Sequence, residues 1–174
     1  MEVAVFSKLM RYLKPEIEIT DASQLRVGPA RVEGIVAACE APLKTPFRSR
    51  SGVAYTYKVI TMVKTRQASM PSVIRDRLHC TEFELSLGET RVRALPKSPG
   101  EPVTEEEHNA VQKTENAYVD EEVIPLGHKV RLDGMVDRDG DGWVVSYGTI
   151  TDLGPAPKAS ADAPRRGRRR RKGR

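Results

Sequence analysis

The chain has 174 residues, 39% hydrophobic and 30% charged, which is room for one domain of ordinary size with a modest core. No apolar run approaches the roughly 18 to 20 residues that span a bilayer, so a membrane-crossing helix is excluded as a reading. The formal charge of +5 is unevenly placed: the last ten residues, RRGRRRRKGR, hold eight cations, and taking these from the 29 basic residues leaves 21 against 24 acidic ones, a mildly acidic body with a basic tail.

Glu2 to Leu13 places Val3, Phe6, Leu9, Met10 and Leu13 at spacings of three and four, and Pro15 stops the pattern. The spacing predicts a short amphipathic helix over residues 1–15 that packs on the domain or on a partner. Glu2 and the basic residues inside this stretch leave no uninterrupted apolar stretch and no small-residue cleavage site of a secretory signal, so a cytoplasmic location is expected. Glu16 to Thr20 reads as a brief extended segment and Asp21 to Gln24 as a turn.

Gly28-Pro29 opens a strand from Ala30 to Cys39, in which Gly34 marks a bend of the kind small barrels need. Ala41 to Ser51, with two prolines and the cations Lys44, Arg48 and Arg50 around Phe47, is a long exposed loop. After Gly52, VAYTYKVITMV alternates: Tyr55, Tyr57, Val59, Thr61 and Val63 share one face, which is aromatic and β-branched. Gln67 to Leu78 fits no single element, since Pro71 breaks any helix and SVIRDRL allows one or two turns at most.

Phe83, Leu85 and Leu87 alternate with polar residues and are answered by Val92 and Ala94 across Gly88-Glu89, the pattern of a second hairpin. Thr104 followed by Glu105, Glu106 and Glu107 is a helix start, with a helix expected to end near Glu115. Glu121 to Ile150 is a long hairpin in which Gly134 repeats the bend of Gly34. From Pro155 onward nothing apolar enough to order the chain remains, which divides it into an N-terminal helix (1–15), a barrel domain (16–154) and a disordered basic tail (155–174).

Sites of chemistry are sparse. Cys39 and Cys80 lack CxxC partners and read as buried thiols, while His79, His108 and His128 show no ligand spacing, so neither metal nor cofactor is expected. Asp137-Arg138-Asp139-Gly140-Asp141-Gly142 matches half of a calcium loop, but Gly148 stands where the bidentate Glu belongs, and the segment reads as a hairpin turn. Glu105 to Glu107 and Asp120 to Glu122 read as solvated carboxylates. No nucleophile elbow, phosphate-cradling loop or dinucleotide turn is present, and no enzymatic activity is expected.

Taken in order, DASQLRVGPARVEGIV, APLKTP with Ser51-Gly52, VAYTYKV, TEFELSL and EEVIPLGHKVRLDGMV resemble the GIDE domain, a membrane-adjacent module found in a mitochondrial ubiquitin ligase and in many bacterial proteins. The resemblance covers Ala22 to Leu153. Its most specific parts are Leu-x-x-Pro followed by Ser-Gly at Leu43 to Gly52, Tyr-x-Tyr at Tyr55 and Tyr57, and Glu-Glu-x-Ile-x-x-Gly at Glu121 to Gly127. Ala54 stands where relatives often have cysteine. The ligases carry transmembrane helices and a zinc-binding RING that this sequence does not show, so ligase activity does not carry over.

The resemblance implies an OB-like barrel of five or six antiparallel strands with one helix inserted near 104–115, agreeing with the strand pattern. It also implies a non-catalytic module that binds a protein partner or small ligand, with Phe47, Arg48, Arg50, Tyr55 and Tyr57 as the candidate contacts. A second contact is expected from Arg165, Arg166, Arg168, Arg169, Arg170, Arg171, Lys172 and Arg174: nucleic acid, an anionic membrane surface and the chain's own acidic segment 101–122 all fit. The rival reading is a single-stranded nucleic-acid-binding OB protein. With aromatics at 5% and an acidic body, that rival rests on the tail.

Overall fold

A computed structural model describes residues 17–64 and 68–157. In chain order these form β1 (Glu18–Ile19), β2 (Gly28–Ala38), β3 (Leu43–Lys44), β4 (Ser51–Gly52), β5 (Ala54–Lys64), β6 (Ser69–Cys80), β7 (Phe83–Leu87), β8 (Thr90–Pro96), α1 (Glu105–Gln112), β9 (Ala117–Ile124), β10 (His128–Asp139) and β11 (Gly142–Pro155). The expected N-terminal helix and the cations from Arg165 to Arg174 lie outside the described residues.

Five strands close a barrel. β2 pairs β7, β7 pairs β8, β8 pairs β11, β11 pairs β10, and β10 returns to β2; every pair is antiparallel except β8 with β11, which run parallel. β1 adds a short parallel pair to β2. This is the mainly β, OB-like small barrel that the resemblance implies and the strand pattern agrees with, the parallel β8–β11 pair being a departure from the expected antiparallel set. Its interior is filled by the in-phase residues of each strand, among them Val32, Val36, Leu85, Leu132, Val136 and Val145, all essentially without solvent contact.

Closure demands sharp bends, and the sequence supplies them. At Gly134 the β10–β11 register shifts, and a Cβ placed there would lie 2.3 Å from the Ser146 carbonyl oxygen. No larger residue fits that bulge without moving backbone. Gly34 is excluded from substitution by the Leu85 side chain and the Ser86 carbonyl, each 2.7 Å from the position of a Cβ.

Between β2 and β7 the chain makes an excursion that lays down β5 and β6, and β9, which follows β8 and α1, completes this second layer as a three-stranded sheet in the order β6-β5-β9. The segment for which the sequence pattern allowed only a turn or two of helix is here strand β6, paired with β5 along its whole length. Pro71 sits on the outer strand, where a missing N–H costs least, and the register shift at Val59/Ile60 breaks the alternation that would have announced the strand. The inner face of this sheet buries Tyr55, Tyr57 and Val59 with Val103, Val111 and Val119. α1 begins at the expected place: Thr104 accepts from the Glu107 amide at 3.2 Å, and Glu107 reaches back to the Thr104 amide at 3.0 Å. It ends at Gln112, three residues before Glu115.

Candidate functional site

The loop from Thr45 to Arg50 is fixed from inside and below. Leu43↔Gly52 and Lys44↔Ser51 pinch its base. Buried Thr45 then takes the Arg50 amide on its hydroxyl at 3.1 Å, donates its own amide to the Arg50 carbonyl at 2.9 Å, and offers its carbonyl to the Ser49 amide at 3.1 Å. Ser49 adopts a left-handed φ of 50°, which lets the chain turn back on itself.

Beneath the loop lies Glu121 of β9, only 4% exposed. One carboxylate oxygen accepts the Phe47 amide at 2.7 Å and the other the Arg48 amide at 3.0 Å, while the Arg50 guanidinium donates to the Glu121 carbonyl. The carboxylate read as solvated is therefore a buried post to which the loop is tied. A signal for this exists in the sequence: along β9, Glu121 falls in phase with Ala117, Val119 and Val123, so period two puts a charge on an apolar face. Glu107 also departs from a merely solvated role, since it bonds Arg75 at 3.1 Å and Arg77 at 2.8 Å as well as capping α1. Its pKa is held down first by the Thr104 amide, then by the two arginines.

What the loop presents is Phe47, 46% exposed, and the flanking Arg48, whose guanidinium sits 5.9 Å from the Phe47 ring centre. Tyr55 and Tyr57 are not presented. Tyr55 is 3% exposed, and its hydroxyl accepts from the Val103 amide at 3.2 Å. Tyr57 is fully buried, with its hydroxyl 3.1 Å from Nδ1 of buried His108, and burial raises its pKa. As a direct contact residue Tyr57 is corrected: both rings belong to the core that seats α1 against the sheet, and of the two only Tyr55 also borders the cleft beside the loop. His108 connects this core to the loop, its ring 5.7 Å from that of Phe47.

Beside the loop opens a cleft of about 620 Å³. Arg48 and Arg50 border it, Thr56 of β5, Leu78 of β6 and Glu122 of β9 form its floor, and Ile150, Thr151 and Asp152 of β11 form the far wall. Tyr55 reaches the cleft margin, so three of the five predicted contacts gather here, while Phe47 stands on the loop above and Tyr57 lies beneath the sheet. Arg31, Arg75, Arg77, Arg93 and Arg131 all hold carboxylates; Arg48 and Arg50 form no ion pair with any described residue. Of the carboxylates lining the cleft, Glu121 is spent on backbone amides and Asp152 on His128, while Glu122 forms no ion pair with a described residue.

A smaller cleft of about 420 Å³ lies at the end of β2, bordered by Cys39, Glu40, Glu82 and Arg93. Burial is the main influence on Cys39 and on Cys80, and it raises both thiols, away from the thiolate that reacts. Among the described residues no three His, Cys, Asp or Glu side chains group to hold a metal ion, and no helix is long and apolar enough to cross a membrane. The Asp137–Gly142 segment forms the tip of the β10–β11 hairpin, where Gly140 supplies a φ of 59°.

Fold and site together define a closed five-stranded OB-like barrel with an added three-stranded sheet, a tethered loop and a cleft bordered by two arginines that form no ion pair with a described residue. A scan of protein-family models and searches of curated proteins and solved structures return no match to this chain.

Proposed function

We propose that this chain is a non-catalytic, GIDE-like β-barrel binding module that docks a partner or small ligand in the cleft beside the 45–50 loop. Its cationic C-terminal run makes a second, electrostatic contact with an anionic surface. The observation that carries the reading is the pairing of a tethered loop with arginines that no carboxylate of a described residue neutralises. Glu121 spends its carboxylate on holding the loop, so Arg48 and Arg50 border the cleft with no carboxylate of a described residue paired to either, Arg50 donating to the Glu121 carbonyl alone. A cleft of this volume is within the roughly 300 to 1,000 Å³ of small-ligand sites. Two segments that carry the GIDE resemblance, 43–52 and 121–127, also meet here, joined through Glu121, which supports treating them as one functional unit.

The test is an amide-shift titration of isotope-labelled full-length protein with a panel of small carboxylates and matched amides. Carboxylates should move Thr56, Leu78 and Thr151, and Arg48→Ala should abolish the response. A response that ignores Arg48→Ala, or that maps away from the cleft, sinks the proposal.

A further inference from the structure

β11 is flanked on both sides only for its first half. β10 accompanies it to Pro155, but on the other side β8 runs beside it from Trp143 to Tyr147, and the Lys97 amide bonding the Tyr147 carbonyl at 2.9 Å is the last link on that track. Beyond Tyr147 this second edge meets no other described strand. At Gly148 the space is open, with nothing within 4 Å of where a Cβ would stand. An edge in this state presents backbone N–H and C=O groups with no ladder partner, which is a template for another strand.

This edge borders the cleft. Ile150, Thr151 and Asp152 are consecutive, and successive side chains of a strand point to opposite faces, so three in a row on one wall bring the strand's margin to the cleft as well as one face. The floor opposite is a cross-strand row, Leu78, Thr56 and Glu122, held in register by Thr56↔Leu78 and Thr56↔Glu122. β9 also lines the cleft, but its carbonyl at Glu121 is already taken by Arg50.

Resting on the reading of the cleft as a ligand site, we propose that its occupant is an extended, carboxylate-bearing peptide segment of a partner protein. The segment adds as a strand to the free edge of β11 from Gly148 to Leu153 and sets its carboxylate against Arg48 and Arg50. Only a polypeptide matches a strand edge along its length; a phosphate or small acid would satisfy the arginines and leave the edge bare. The remaining charges set the rest of the specificity. Asp152 is engaged by His128 at 2.9 Å and by the Gly154 amide at 2.8 Å, whereas Glu122 forms no ion pair with a described residue and favours a basic or polar side chain opposite it.

The test selects binders to immobilised full-length protein from a library of short acidic peptides. The best peptide is then resynthesised with each carboxylate replaced by its amide, and with alternate backbone amides N-methylated in each of the two registers. We expect amide replacement at one position, and Arg48→Ala in the protein, to weaken binding about tenfold or more, the scale of one lost charge-assisted hydrogen bond. N-methylation should abolish binding in one register and spare it in the other, and β11 amides after Tyr147 should gain protection from hydrogen exchange. Indifference to both methylation registers, with the Arg48 dependence intact, overturns strand addition but leaves the cleft as a ligand site. Binding that ignores Arg48→Ala and perturbs no cleft residue overturns both. Strand addition also fails if no peptide is selected, or if the free full-length protein already protects these amides through its own chain.

Discussion

Removing the Glu121 carboxylate should release the 45–50 loop, and the size of the effect follows from its two bonds. Hydrogen bonds to a charged group contribute about 1.5 to 3 kcal/mol each. The donors here, the amides of Phe47 and Arg48, sit in a loop that water reaches once it lifts, so the lower end of that range applies. Glu121→Ala should then cost about 3 kcal/mol, a large share of the roughly 5 to 15 kcal/mol of a typical domain. Glu121→Gln keeps one acceptor oxygen and turns an NH2 toward the other amide, for a loss of about 1.5 to 2 kcal/mol. Urea unfolding gives the global value, and hydrogen exchange at the Phe47 and Arg48 amides reports the loop directly. The reasoning is refuted if Glu121→Ala stays within about 0.5 kcal/mol of the parent. Unchanged exchange at both amides refutes it equally.

Further outcomes follow from the same structure. Gly134→Ala drives a methyl into the Ser146 carbonyl and should cost about 3 kcal/mol, whereas Gly148→Ala meets nothing and should gain about 0.5 kcal/mol through the unfolded chain; equal effects in thermal melts would contradict the bulge geometry. Glu33 is held by Lys129 at 2.8 Å and Arg131 at 2.6 Å, and these cations, Lys129 first, lower its pKa below the ordinary 4.5. A lowered folded pKa makes its stabilisation complete above 4.5 and lost as pH falls through the folded value, so Glu33→Gln should flatten the acid limb of a stability-against-pH curve while leaving its neutral region merely offset. A chain stopped at Pro157 should lose salt-dependent binding to single-stranded oligonucleotide; full affinity without the last residues would move that binding onto the barrel.

The barrel was legible because its strands alternate cleanly and their bends are written as glycines. Phe83, Leu85 and Leu87 point inward as their spacing predicts, and Gly134 lies at a register shift. The capped start of α1 was equally local, needing only Thr104 and the acidic turn after it. β6 was hidden because a bulge disrupts its period and because Met70, Val73, Ile74 and Leu78 all stay exposed, so no inside-outside pattern marks it. The site was harder still. That Tyr55 and Tyr57 share a face is a property of one strand, but whether that face meets ligand or core depends on α1, which arrives some fifty residues later in the chain. Glu121 was misread for the same reason: its partners are amides of a loop far upstream, and backbone donors leave no mark in a sequence.

The order in which the chain visits its two layers has a kinetic meaning. It leaves the barrel after β2, lays down β5 and β6, returns for β7 and β8, goes out again for β9, and comes back for β10 and β11. Each layer is thus completed only by a segment synthesised after the other layer has been entered, and the barrel's seam between β8 and β11 is a parallel, long-range contact. Hairpins such as β5–β6 and β7–β8 can form early, but they wait on late arrivals to be locked, a slow-folding topology in which the two layers gain their stability together.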